Sequence, residues 1–120
     1  MSVTTETVMT YEKSGVSFTV SAPMVRVPVT GTAITRTIQE IDNSSAEQLD
    51  FGDVTTPGMV WFRNLDATNY VEINAGTGLA MTIRLNAGED CRFRFAPLAT
   101  APFAQANGAA VDLEMCLIEA

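Results

Sequence analysis

The sequence predicts an all-β protein, a single-domain β-sandwich or small jelly roll of about eight strands filling residues 1–120. Three observations lead there. Apolar and polar residues alternate with a period of two again and again, helical periodicity is scarce, and turn signals recur about every 8 to 15 residues.

The elements follow in order. The Thr-rich start, Ser2 to Thr10, reads either as a first strand or as an amino-terminal arm over residues 2–10. "GVSFTV" sets Val16, Phe18 and Val20 in phase, and "MVRVPVT" does the same for Val25, Val27 and Val29, so two strands are expected. Pro28 inside the second run places it at a sheet edge or a bulge. "AITRTIQEI" alternates Ile34, Arg36 and Ile38 with threonines, which favours strand over helix. "SSAEQLDFGDV" alone has a helical look: Ser45 is a potential cap and Leu49 an inward residue, but Gly52 stops it, leaving a single helical turn or an irregular loop. "GMVWFRNL" and "NYVEIN" flank Asn64-Leu65-Asp66-Ala67-Thr68-Asn69, whose Asx chemistry is expected to close a hairpin between them. "AMTIRL", "CRFRF" and "VDLEMCLI" supply the last strands. Turns are expected at Ser14-Gly15, Thr30-Gly31, Asp42 to Ser45, Pro57-Gly58, Gly76 to Gly78, Asn86 to Gly88 and Asn107-Gly108.

Composition narrows the partners. The formal net charge is −7 and Lys13 is the sole lysine, which opposes both phosphate-backbone binding and attraction to anionic membranes. Nucleic acid and membrane are therefore not expected as partners. The first residues lack the basic and apolar regions of a signal peptide, and no run of 18 apolar residues follows, so a soluble protein made in a cytoplasm is expected. Two cysteines are too few for a disulfide framework. Cys91 alternates in phase with Phe93 and Phe95, whereas Cys116 alternates with Asp112 and Glu114, so the two thiols are expected in different surroundings and reduced.

Chemistry is sparse. Without histidine there is no Ser-His-Asp or Cys-His arrangement and no histidine-dependent zinc site, and two cysteines cannot build a thiolate cage. Gly76-Thr77-Gly78 lacks the following helix and the Lys-Ser/Thr pair of a phosphate cradle. The carboxylates from Glu40 to Asp53 read as a solvated acidic stretch rather than a glycosidase pair. The oxygens of Asn64 to Asn69 read as a turn rather than a calcium site, because the spacing lacks a bidentate acid and five convergent ligands. Trp61, mid-strand, is expected in the core rather than as a stacking platform. No catalytic residue, cofactor or metal is expected, and the protein is read as a non-enzyme.

The stretch "FGDVTTPGMVWFRNLDATNYVEI", then "AMTIRLNAGEDCRFRF", the hairpin Ala104 to Ala110 and "VDLEMCLIEA" resembles small virion structural proteins of tailed bacteriophages, over roughly residues 50 to 119. The resemblance implies a structural part of a phage particle assembled in the host cytoplasm, in first place a capsid decoration or cement protein that stabilises the shell. It implies the major capsid protein and copies of the chain itself, as a homotrimer, for partners. The alternative it leaves open is a tail or receptor- or carbohydrate-binding β-module of the virion. For such a role the arm is the expected contact, through Val3, Thr5, Val8, Thr10 and Tyr11, by adding to a neighbouring strand edge. Met24, Met59, Leu98 and Phe103 are further apolar candidates for contact between copies.

Overall fold

A computed structural model describes residues 2–28, 31, 33–74, 81–96 and 101–120. The chain divides into two compact units, Met1–Thr30 and Gly31–Ala120.

The first unit is a hairpin of β1 (Ser2–Lys13) and β2 (Val16–Pro28), which pair antiparallel. Ser14 and Gly15 both have positive φ, 50° and 79°, the backbone of a two-residue turn whose twist matches that of the strands it joins. Residues 2–10, anticipated as an arm, form most of β1. The two runs expected as separate strands form one, and the register shows how. Thr5 pairs with Val25 while Thr7 pairs with Ala22, so β2 spends one residue more than β1 at Pro23-Met24. A bulge there tolerates a proline without an N–H, and it absorbs the change of phase between the even series Val16, Phe18, Val20 and the odd series Val25, Val27. Pro28 falls at the last position of β2.

Among the described residues the second unit has eight strands: β3 (Ile34–Ile41), β4 (Glu47–Gln48), β5 (Pro57–Asn64), β6 (Val71–Asn74), β7 (Ile83–Leu85), β8 (Asp90–Arg94), β9 (Phe103–Ala106) and β10 (Val111–Glu119). Strand β3 pairs with β10, β4 with β9, β5 with β8 and β6 with β7, all antiparallel. The chain is thus doubled back on itself at β6–β7, and the doubled ribbon is rolled up by two more pairings, β5 with β10 and β6 with β9. The result is two four-stranded sheets, ordered β3-β10-β5-β8 and β4-β9-β6-β7, which is the strand order of a jelly roll.

Two local expectations give way to this topology. Residues 47–48, read as helical turn or loop, form strand β4 against Phe103 and Ala104, and Leu49 N–H donates to the Pro102 carbonyl at 2.9 Å. Pairing with β9 serves backbone groups that a one-turn helix would leave open. The hairpin expected between "MVWFR" and "YVEI" does not form either. Both edges of β5 are taken, by β10 and β8, so the chain after Asn64 must leave for the other sheet, where β6 finds β7 and β9.

The core lies between the two sheets. Val60 and Phe62 from β5 and Leu113, Met115 and Leu117 from β10 face Val71, Ile73 and Ala104, all essentially inaccessible to solvent. An aromatic chain runs through it: Phe62 meets Phe93 edge-on at 5.8 Å, Phe93 meets Phe95 at 4.9 Å, and Phe95 meets Phe51 at 6.0 Å. Every residue of this core comes from 41–117.

Replacing the fully buried Phe62 with alanine removes one end of this chain and leaves a cavity between the sheets. Phe62→Ala is expected to lower the unfolding free energy by about 3–5 kcal/mol in urea titrations. A loss below about 1 kcal/mol would mean that the sheets do not pack as described.

Candidate functional site

Four connections gather at one end of the jelly roll, and buried Asn64 ties them. At the last position of β5 its Nδ2 donates to the carbonyls of Asn69 (2.8 Å) and Leu85 (3.1 Å), and its Oδ1 accepts from Asp66 N–H (2.8 Å). One side chain therefore links β5 of one sheet to β7 of the other and holds the loop between them. Its backbone accepts from Gly88 N–H and donates to Glu89, while Asn107 N–H reaches Tyr70 and Ala106 N–H reaches Asp42. Gly108, at φ 84°, is needed here, since a Cβ would stand 2.7 Å from Asn69 Oδ1.

Within this end the acidic oxygens turn inward on their own loops. Asp66 Oδ2 accepts from Asn69 N–H (2.6 Å), Thr68 N–H (3.0 Å) and Thr68 Oγ1 (3.3 Å). These bonds, that from Asn69 foremost, hold its carboxyl below the usual range. Asp42 does the same with Ser44 and Asn43, and its pKa is lowered by the Ser44 hydroxyl first. The string 64–69 is thus an Asx-turned crossover between sheets. Among the described residues no group of three or more Cys, Asp and Glu is placed to hold a metal ion. Gly76 to Gly78 lie outside the described residues.

The outward face of sheet β3-β10-β5-β8 holds what the sequence reading placed inside. Trp61 is partly exposed there, opposite in phase to buried Val60 and Phe62, and its indole N–H donates to Asp90 Oδ2 at 2.8 Å. It sits in register between Cys116 on β10 and Arg92 on β8, with Met59 and Arg94 paired in the next outward row. Arg36 and Glu114 pair across the same face at 2.8 Å. The core expectation for Trp61 fails because "MVWFR" is apolar in four consecutive positions, which conceals the phase.

The cysteines are free and occupy opposite faces of this sheet, as their phases suggested. Cys91 pairs in register with Phe62 on the inner side and Cys116 with Trp61 on the outer. Burial, helped by the neighbouring charge of Asp90, pushes the Cys91 thiol up to about 11.

The hairpin presents a cluster of exposed apolar residues. On its odd β1 face Met9 pairs with Val20, next to Val16 and Phe18, and these are 68, 49, 63 and 58% exposed. The other face is polar, with Thr4, Glu6, Thr10 and Glu12 on β1, Ser17, Thr19 and Ser21 on β2, and Val8 as its exception; the Thr10 and Thr19 hydroxyls meet across it at 3.2 Å. The five expected contact residues thus divide. Val3 and Thr5 lie on the odd face, Val8 and Thr10 on the polar one, and Tyr11 pairs with Phe18 in backbone register, its side chain lying outside the described residues. Of the other apolar candidates, Met59 is on the outward sheet face and Phe103 half-buried on β9, while the Met24 side chain and Leu98 lie outside the described residues.

No protein-family model, curated protein or solved structure matches the chain.

Two measurements check these assignments. Asn64→Ala leaves buried backbone groups of both sheets unpaired, so a loss of about 3 kcal/mol is expected in urea unfolding, and a loss under about 0.5 kcal/mol would contradict its linking role. The raised Cys91 pKa means that the folded state keeps a proton that the unfolded chain gives up from 9.0 upward. Its contribution to stability is therefore full below 9.0 and is lost as pH climbs toward about 11. Urea midpoints should fall over that window, and fall less in Cys91→Ala; identical alkaline profiles for the two proteins would contradict it.

Proposed function

We propose that this chain is a non-enzymatic structural protein of a phage particle, in first place a decoration protein that attaches to the shell of major capsid protein together with copies of itself. The observation that carries the assembly role is the amphipathic hairpin. Ser2 to Pro28 form a hairpin with a largely polar face and an opposite face on which Met9, Val16, Phe18 and Val20 are exposed, while the buried core of the described residues is drawn from 41–117. A lone two-stranded hairpin is marginal in water, and an apolar surface of this size marks a contact with another macromolecule. The resemblance of residues 50 to 119 to phage virion proteins links that contact to a particle. The jelly roll suits the role by analogy, being frequent in viral capsids, but it also serves lectins and enzymes and decides nothing by itself.

The attachment rests on apolar burial and strand pairing. Salt screens charge attraction, shortening the Debye length from about 8 Å at 0.15 M to about 3 Å at 1 M, and leaves apolar burial standing.

A second reading, a carbohydrate-binding β-module of the virion, has its own observation in Trp61, partly exposed on the outward sheet face beside Arg92. Reproducible glycan-array binding abolished by Trp61→Ala would establish that reading, and a blank array would remove it.

Because β1 is half of a hairpin, the informative truncation removes residues 2–28 rather than 2–10 alone. The truncated chain should keep its sandwich, whose core draws nothing from those residues, and bind particles lacking the native protein at least about tenfold more weakly. The full chain should stay bound through a wash at about 1 M salt. Unchanged binding by the truncated protein, or release of the full chain by salt, would contradict the proposal.

A further inference from the structure

We infer that the hairpin's apolar face and both its open edges are covered by the same hairpin from two further copies of this chain, closing a six-stranded barrel along a three-fold axis. The inference deepens the reading of the hairpin as an assembly element and names its partner; it does not depend on the shell.

The edges give the first argument. Exposed strand edges are normally kept short or blunted with charge, proline or bulges. Of the sandwich's four edge strands, β4, β7 and β8 are 2, 3 and 5 residues long and β3 has 8. In the hairpin each strand is an edge, and they run to 12 and 13 residues. No proline interrupts β1, whose only charges are Glu6, Glu12 and Lys13, and in β2 the bulge and prolines are confined to Pro23-Met24 and Pro28, leaving Val16 to Ala22 unbroken. A flat partner surface would cover the apolar face and leave these edges open. Another copy of the hairpin covers both, since β2 of one copy meets β1 of the next antiparallel when all copies point the same way along one axis.

Charge selects the same partner. Residues 1–30 carry Glu6 and Glu12 against Lys13 and Arg26 and are neutral, so the whole formal net charge of −7 belongs to residues 31–120. The hairpin is the segment that copies can bring together without summing like charges.

Geometry sets the number. Strands spaced about 4.8 Å give a ring of about 19 Å circumference for four and about 29 Å for six. The four-strand ring is about 6 Å across, too narrow for side chains from opposite walls. The six-strand ring is about 9 Å across before strand tilt widens it, close to the roughly 10 Å between packed sheets. The edges agree. Two copies stacked face to face would cover the apolar faces but leave all four strand edges open, whereas three copies in a ring cover the same faces and close every edge. In the closed ring Met9, Val16 and Val20 point inward and Thr10, Ser17 and Thr19 outward, by the alternation of the strands.

The test is the mass of the full chain in solution by light scattering coupled to size exclusion, without particles. A trimer of about 39 kDa is expected, three times the chain's 12.9 kDa. Val20→Asp, on the apolar face, should lower the mass threefold while the β-sheet circular dichroism of the sandwich persists; Thr19→Glu, on the polar face, should leave the trimer intact. A wild-type monomer or dimer at high concentration overturns the inference whatever the variants do. So does a Val20→Asp protein that remains trimeric, or a Thr19→Glu protein that falls to monomer. A monomer that still decorates particles would sink this inference alone, and a trimer that binds no particle would sink the particle role alone.

Discussion

A β-strand that alternates apolar and polar residues can leave only one face in water without cost, and the organisation of this chain follows from where each apolar face finds its cover. In residues 31–120 the inner faces of the two sheets cover each other, while Ile34 and Ile38 of β3 remain exposed. Rolling the doubled ribbon into two sheets sets Phe62 and Met115 of one against Ile73 and Val71 of the other, and all four are shut off from solvent. In residues 2–28 the bulge at Pro23-Met24 brings the even and odd series of β2 opposite the same odd positions of β1, and on that face Met9, Val16, Phe18 and Val20 stand exposed. This is the face that the proposed contact between copies would cover.

Period-two alternation made the strands legible in the sequence, and turn residues made most of their ends legible; Ser14-Gly15 and Asn107-Gly108 are examples. Which strands pair is a different matter, because alternation states that a strand has two faces and not which neighbours occupy its edges. That is why the Asx turn at Asp66 could be read from Asn, Asp and Thr while its destination, the opposite sheet, could not. Trp61 was hidden by continuous apolar sequence on both sides of it. The hairpin was hidden differently: the apolar series changes from even to odd positions between Val20 and Val25, which in sequence looks like the end of one strand and the start of another. A proline next to that change is the signal that could have shown a bulge.

The polar groups of the sandwich are committed to architecture. Asn64 spends its amide joining the sheets, Asp66 and Asp42 spend theirs on their own loops, Glu114 is held by Arg36, and Trp61 by Asp90. The formal charge divides in the same way: all of the net negative charge lies in residues 31–120, while residues 1–30 are neutral, which is the distribution the proposed contact between hairpins would need.

Amide hydrogen exchange along β1 and β2 of the full chain tests this account most directly. In a hairpin that stands alone, roughly every second amide points away from its partner strand and exchanges at once. If the hairpin is covered on its face and paired at both edges, consecutive amides from Val3 to Glu12 and from Ser17 to Ala22 should be protected alike, and dilution should abolish the protection of the outward set first. Immediate exchange of alternate amides at every concentration, with the sandwich fully protected, would show that nothing covers the hairpin and would contradict the account.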